Sequence, residues 1–100
     1  MGKHLEDKQL QALIEAILAL ETEEEALSFF EDIFTVREMQ SIAQRLAVAS
    51  LLRKKVTYQE IAERTGSSTA TISRVNRSLT YGAGGYQTVL SRMSDASREE

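Results

Sequence analysis

The sequence predicts an all-α fold of about six helices, and three kinds of observation support this. Proline is absent from the 100 residues, and the alternation of apolar and polar residues that is typical of a β-strand is hard to find. Capping boxes of the form Thr-x-x-Glu recur, and each precedes apolar residues at helical spacing, which indicates a helix start. The boxes are Thr22/Glu25, Thr35/Glu38 and Thr57/Glu60.

Three amphipathic helices are predicted in the first half of the chain. The first spans roughly residues 5–20, and the next two begin after Thr22 and Thr35. On each helix the apolar residues recur three and four positions apart, and the face that they form is expected to pack into the core. These core faces comprise Leu10, Leu13, Ile14, Ile17 and Leu18 on the first helix, Ala26, Leu27, Phe30, Ile33 and Phe34 on the second, and Met39, Ile42, Ala43, Leu46 and Ala49 on the third.

Residues 58–79 have the spacing that a helix-turn-helix requires. Ile61 and Thr65 face inward one helical turn apart, and Ala62 is small at the point where the second helix crosses closely over the first. Gly66 lies where the chain must turn sharply, in a backbone conformation that glycine adopts without a Cβ clash. The segment therefore predicts two short helices joined at Gly66.

The second helix of this motif is amphipathic and can be capped by Ser67 or Ser68. In the docking geometry of a helix-turn-helix, the N-terminal part of this helix enters the major groove of DNA, while the first helix spans the DNA backbone. The combination predicts a DNA-binding protein. The apolar face consists of Ile72, Val75 and Leu79, and the outward face of Ala70, Ser73, Arg74 and Arg77.

Three glycines in residues 81–86 interrupt the helical pattern near the C-terminus. The segment lacks both the preceding strand and the Gly-Lys-Ser/Thr ending of a nucleotide-binding loop. We interpret it as a helix stop and hinge, with a functional turn that touches DNA or a ligand as the alternative. A last helix with an apolar face is predicted to follow, and residues 94–100 are expected to form a frayed polar tail. That face consists of Tyr86, Val89, Leu90 and Met93.

The composition is typical of a globular protein, with 42% hydrophobic and 27% charged residues. Cysteine is absent and His4 is the single histidine, so the chain cannot form a disulfide framework or a Cys/His metal cluster, and we expect no cofactor. The sequence shows no secretory leader and no apolar segment of the ~20 residues that a membrane span needs, which favours a cytoplasmic protein.

The net charge of −3 conceals an uneven distribution along the chain. Residues 1–36 carry nine acidic and two basic residues, giving −7, whereas residues 37–92 carry nine basic and three acidic residues, giving +6. Phosphate contacts respond to the local field within a Debye length of about 8–10 Å. The basic part of the chain can therefore bind DNA although the whole molecule is acidic.

The side chains that would face the DNA bases are mostly short. Hydroxyl and methyl groups offer few bidentate hydrogen bonds, so direct base recognition would depend mainly on Arg74 or Gln59. We therefore expect recognition that relies on bridging water and on DNA shape. The base-facing candidates are Gln59, Thr69, Ala70, Thr71, Ser73 and Arg74, and the phosphate-contacting candidates are Arg53, Lys54, Lys55, Arg64 and Arg77.

The sequence leaves two alternatives open, one to DNA binding and one to phosphate contact by the basic cluster. The helix-turn-helix could serve only for packing, in a protein-interaction module of the transcription machinery that uses its acidic N-terminal half. The basic cluster of Arg53, Lys54 and Lys55 could simply complement the C-terminal end of the third helix, where positive charge suits the helix dipole. An enzyme is not indicated, because no nucleophile is paired with a base.

A set of short segments recurs in one known family: Phe34-Thr35, Leu51-Leu52-Arg53, Gln59-Glu60-Ile61, Gly66, residues 70–74, Asn76 and Ser78-Leu79. The set resembles the Trp repressor family, and more closely its Trp-repressor-like YerC/YecD-type branch, over roughly residues 5–93. The resemblance implies a single Trp-repressor-like domain over residues 1–100, in an intertwined homodimer. Two recognition helices about one DNA turn apart would suit a palindromic operator, as in a transcriptional repressor.

The resemblance also implies where a small effector would bind. In tryptophan-binding members two arginines hold the indole, and a glycine follows the second arginine. Arg74 matches the second arginine and Arg45 the first, so that an effector pocket is expected at Thr35, Arg45 and Arg74. Val75 stands at the position of the glycine, and its branched side chain would fill the space for the ligand. We therefore expect no control by tryptophan, and either another small effector or none.

Overall fold

A computed structural model describes the backbone of residues 2–98 and the side chains of residues 7–94. Within that part of the chain there are six helices and no strand, which confirms the predicted all-α fold. The helices are α1 (Gly2–Leu18), α2 (Glu23–Ile33), α3 (Val36–Arg53), α4 (Tyr58–Thr65), α5 (Thr69–Tyr81) and α6 (Gly85–Arg98).

The chain forms two compact units, of which the first ends at Met39 and the second begins at Gln40. The boundary between them falls inside α3. The expected single domain over residues 1–100 therefore stays a prediction. None of the helices described between residues 2 and 98 is both long enough and apolar enough to cross a membrane.

The first two capping boxes begin helices where the sequence predicts them, but their glutamates differ in use. At α3 the Glu38 N–H donates to Thr35 Oγ1 over 3.0 Å, and the Thr35 N–H donates to Glu38 Oε1 over 2.8 Å, as a reciprocal box requires. At α2 the Glu25 N–H donates to Thr22 Oγ1 over 3.0 Å, whereas the Glu25 carboxylate accepts from the Glu21 N–H over 2.8 Å. Both helix starts are thus satisfied by local hydrogen bonds.

The core of the second unit lies where α3, α4, α5 and α6 meet. Ile61 on α4, Ile72 on α5 and Val48 on α3 are its largest fully buried side chains. Burying a side chain of this size contributes about 1.5–3 kcal/mol, more than any surface ion pair. The remaining buried members are Ala49, Leu51, Val75 and Leu90. The inward faces of α4 and α5 therefore share one core with α3, which supports the helix-turn-helix.

The predicted core faces of α1 and α2 are not buried within this chain, so the sequence prediction is wrong for most of their residues. Within α2 no residue is buried, and on α1 Ile14 is 47% and Leu18 78% exposed. The predicted core face of α3 is buried only in part, since Ala49 is buried while Ile42 is 43% exposed. The physical reason is that helical spacing shows that a face is apolar but not what covers it.

Residues 82–84 separate α5 from α6, inside the segment where the glycine pattern predicts a helix stop. At Gly82 the backbone N–H donates to the Ser78 carbonyl over 2.9 Å, and a Cβ at this position would overlap that carbonyl oxygen. A glycine is therefore required here by close approach. The following helix continues to Arg98, so it includes part of the segment expected to be a frayed tail; residues 99 and 100 lie outside the described residues.

The C-terminus of α3 forms a Schellman motif without a glycine. The Val56 N–H donates to the Leu51 carbonyl over 3.1 Å, and the Lys55 N–H donates to the Leu52 carbonyl over 3.0 Å. This pattern places Lys55 in the left-handed region, with φ of 66°. A residue with a Cβ loses about 1–2 kcal/mol in this conformation. Lys55 is therefore a site of local backbone strain.

Replacing Lys55 by glycine is expected to raise the free energy of unfolding by about 1 kcal/mol, because glycine relieves the Cβ clash while adding some entropy to the unfolded chain. Urea denaturation measures the change. Lys54→Gly is the matched control, since it removes the same charge from the neighbouring residue, which does not have a positive φ. It is expected to destabilise the protein. An equal decrease in both variants would contradict strain at Lys55.

Candidate nucleic-acid interface

The N-terminus of α4 is capped by Thr57, whose Oγ1 accepts from the Glu60 N–H over 3.2 Å. The Glu60 carboxylate pairs with Arg64 Nη1 at 3.4 Å, one helical turn away. Both side chains are more than half exposed, so this ion pair contributes at most about 1 kcal/mol. Arg64, a phosphate-contacting candidate, thus lies on the surface with a weakly held partner.

The turn between α4 and α5 has the conformation that the sequence predicts. Gly66 has φ of 74° and ψ of 14°, in the left-handed region, and its N–H donates to the Ala62 carbonyl over 2.9 Å. Of the two candidate caps, Ser68 is the one that serves α5, because its Oγ accepts from the Thr71 N–H over 3.1 Å. Ser67 is instead buried, with 6% of its surface exposed.

A cluster of hydrogen bonds around Thr65 stabilises this turn. Thr65 Oγ1 donates to the Ile61 carbonyl over 2.7 Å, accepts from the Ser67 N–H over 3.2 Å and shares a 2.8 Å hydrogen bond with Ser67 Oγ. Gln44 Nε2 on α3 donates to the Thr65 carbonyl over 3.1 Å. No role for Gln44 is apparent from the sequence. The only signal for it in the sequence is a polar amide among the apolar positions of α3 that are predicted to face the core.

The base-facing candidates lie around the N-terminal half of α5 and the start of α4. Gln59, Thr69, Ala70, Ser73 and Arg74 are exposed, while Thr71 is half-buried and its hydroxyl bonds to Ser68 Oγ over 3.1 Å. The Thr71 hydroxyl is therefore engaged in the helix cap, which leaves its methyl group as the part free to contact another molecule. The opposite side of α5 is apolar, with Ile72 and Val75 buried and Leu79 half-buried.

The phosphate-contacting candidates all belong to the second unit. Lys54, Lys55, Arg64 and Arg77 are exposed, and Arg53 is half-buried. Residues 40–94 contain eight basic and two acidic residues. This excess of positive charge, carried by largely exposed side chains, gives the unit a local field that attracts phosphate.

Two of the three residues expected to form an effector pocket lie together. Arg45 and Arg74 line a cavity of about 400 Å³ between α3 and α5, together with Arg77 and Val75. Val75 is 2% exposed and belongs also to the hydrophobic core. Thr35 is not among the residues that line the cavity; it lies in the first unit, where it caps α3. Arg77, expected at a phosphate, therefore also borders this cavity.

Comparison with known proteins gives concordant matches over most of the chain. The model of a family described as Trp repressor protein matches residues 8–94. A Bacillus subtilis (strain 168) protein called YerC, described as uncharacterised, is 47% identical over 95 residues, which cover 95% of this chain and 91% of the relative.

Two solved structures are similar in both sequence and fold. A protein from Eubacterium eligens described as TrpR-like is 52% identical with a TM-score of 0.85, over 87% of this chain and 90% of that chain. A protein from Staphylococcus aureus described as a candidate Trp repressor is 46% identical with a TM-score of 0.86, over 94% of each chain. These matches confirm the resemblance found in the sequence, and the chain belongs to the Trp repressor protein family.

Proposed function

We propose that this protein is a sequence-specific DNA-binding transcriptional regulator, and that it represses transcription by binding DNA through the helix-turn-helix of α4 and α5. The geometry of α5 is the main support for this function. Its apolar side is buried in the core of the second unit, while Thr69, Ala70 and Ser73 are exposed at its N-terminal half. A firmly packed helix with an accessible N-terminal half suits recognition in the major groove.

The charge of the second unit supports this proposal. Sequence-independent affinity for DNA comes from basic side chains that neutralise phosphates, and the exposed lysines and arginines of this unit are such side chains. Arg64 can exchange its exposed carboxylate partner for a phosphate with little loss. The Trp repressor family is a family of regulators rather than of enzymes. Because the relatives are bacterial, we place the activity in the cytoplasm, where bacterial DNA lies.

We propose that tryptophan does not control this activity. Val75 occupies the wall of the cavity beside Arg74, and as a core residue it has little freedom to move aside. The resemblance to tryptophan-binding members implies a glycine at this position, where the ligand needs space. Any effector of this cavity would have to fit beside the valine side chain and between arginines.

We also propose that the protein acts as a homodimer on a palindromic operator. The apolar residues of α1 and α2 form exposed faces that are unusual for a small monomer and typical of a protein–protein contact. A second copy of the chain would supply the missing apolar surface. A two-fold dimer would also present two copies of α5, which matches a two-fold operator. The largest exposed members of these faces are Leu10, Ile14, Ile17, Leu18, Leu27 and Ile33.

Arg74→Ala is expected to weaken binding to a duplex selected from a random library by about ten- to a hundredfold, because a base-contacting arginine loses about 1–3 kcal/mol of interaction. Arg77→Ala is the matched control. It is expected to weaken binding to all duplexes alike and to lower the salt dependence by about one phosphate contact. Fluorescence anisotropy from low to physiological salt measures both effects.

In the same titrations, L-tryptophan is expected to leave the affinity unchanged. An unaltered affinity of Arg74→Ala would remove its assignment to base recognition, and tighter binding with tryptophan would contradict the role given to Val75. If the wild-type protein bound no duplex even at low salt, the proposed function would be wrong. A protein-interaction module would then be favoured.

Sedimentation equilibrium is expected to give the mass of two chains for the wild-type protein. Ile14→Glu places a charge in the exposed apolar stripe of α1 and is expected to shift the equilibrium to one chain, because an unpaired carboxylate cannot enter an apolar contact. Ala12→Glu is the matched control, since it adds the same charge on the opposite side of the helix. A wild-type monomer at micromolar concentration would contradict the homodimer.

A further inference from the structure

Gln44 connects the support helix α3 to the turn of the helix-turn-helix. The last carbonyls of a helix have no partner within the helix. At the end of α4 the Gly66 N–H satisfies the Ala62 carbonyl, and the Thr65 carbonyl is satisfied from outside the motif by Gln44 Nε2 at 3.1 Å. The donor is half-buried and lies 21 residues earlier in the chain. This hydrogen bond is therefore a tertiary tie and not part of the local turn.

The Thr65 end of this tie is coupled to the start of α5. Thr65 Oγ1 bonds the Ile61 carbonyl on one side and both the N–H and the hydroxyl of Ser67 on the other. Ser67 is buried, and the next residue, Ser68, caps α5. Thr65 is thus linked to the start of α5 through Ser67, by hydrogen bonds of 2.8 and 3.2 Å from its side-chain oxygen.

Apolar packing alone fixes the position of the α5 N-terminus less narrowly than these hydrogen bonds do. Ile61 and Ile72 hold α4 and α5 against the core, but apolar contacts are not directional. A hydrogen bond has a required distance and angle, and it therefore sets the rotation of the turn about the core. The exposed side chains at the N-terminal half of α5 are short, so small displacements of this helix would change which groups reach a base edge.

We propose that Gln44 is a positioning residue, which fixes α5 through the Thr65 carbonyl and thereby determines the discrimination between DNA sequences. The proposal rests on the proposed DNA-binding function for its effect on discrimination. The tie itself is a property of the free protein. Because Gln44 carries no charge, its removal changes neither the number of phosphate contacts nor the salt dependence of binding.

The test uses the full chain with Gln44→Met, which keeps the length of the side chain and removes its donor. Amide hydrogen exchange of the free protein is expected to become about five- to tenfold faster at Ser67, because an unsatisfied Thr65 carbonyl loosens the turn. Exchange at Val48 in the core is expected to stay the same. Gln40→Met is the matched control, since Gln40 is exposed one turn earlier on α3.

The second measurement is the ratio of affinities for the selected duplex and a random duplex. Gln44→Met is expected to lower this ratio about five- to tenfold with the random-duplex affinity unchanged, and Gln40→Met is expected to leave the ratio as in the wild-type protein. A merely structural role would lower both affinities together or neither.

Unchanged exchange at Ser67 in Gln44→Met would overturn the proposed tie, whether or not the protein binds DNA. Faster exchange with an unchanged ratio of affinities would overturn the positioning role and leave the proposed function standing. Absence of DNA binding by the wild-type protein would contradict the proposed function, while the exchange measurement would still decide whether Gln44 holds the turn.

Discussion

The packing of Ile61 and Ile72 against α3 is the interaction on which the rest of the structure depends. These two isoleucines, with Val48, are the largest fully buried side chains described, and they belong to three different helices. Their burial brings α4 and α5 together at Gly66 and leaves the outer side of α5 exposed. A capping bond contributes about 1 kcal/mol, and the exposed Arg64–Glu60 pair at most about 1 kcal/mol. They refine an arrangement that apolar burial establishes.

The core of the second unit leaves many apolar side chains of the chain exposed. Much of the apolar surface of α1 and α2 is uncovered in one chain, and Val89 and Met93 on α6 are also about half exposed. A second copy that covers these faces would make stability depend on protein concentration. The same association would pair the two DNA-binding motifs. The exposed apolar faces would then provide both the missing stability and the symmetry of the binding site.

Features determined by local sequence were predictable, and those determined by distant contacts were not. The helix starts at Thr22, Thr35 and Thr57 and the left-handed turn at Gly66 follow from residues within a few positions of each other. The buried side of α5 follows from helical spacing alone. By contrast, the sequence placed the faces of α1 and α2 in a core, because periodicity shows that a face is apolar but not what covers it.

The missed details of the site have the same cause. The bond from Gln44 to the Thr65 carbonyl depends on how α3 meets the turn, which no spacing rule specifies. The left-handed conformation of Lys55 was missed because the residue is not a glycine, although the Schellman bonds require it. Arg77 was assigned to a phosphate from its exposed position, and its place beside the cavity with Arg45 became evident only from the packing of α3 and α5.

The proposal that α5 recognises DNA is tested most directly by an amide chemical-shift map of isotope-labelled protein bound to a duplex selected from a random library. If α5 recognises DNA, the largest shift changes are expected at Gln59 and from Thr69 to Arg74, with small changes in α1 and α2. Shift changes concentrated in α1 and α2, with α5 unaffected, would contradict the account.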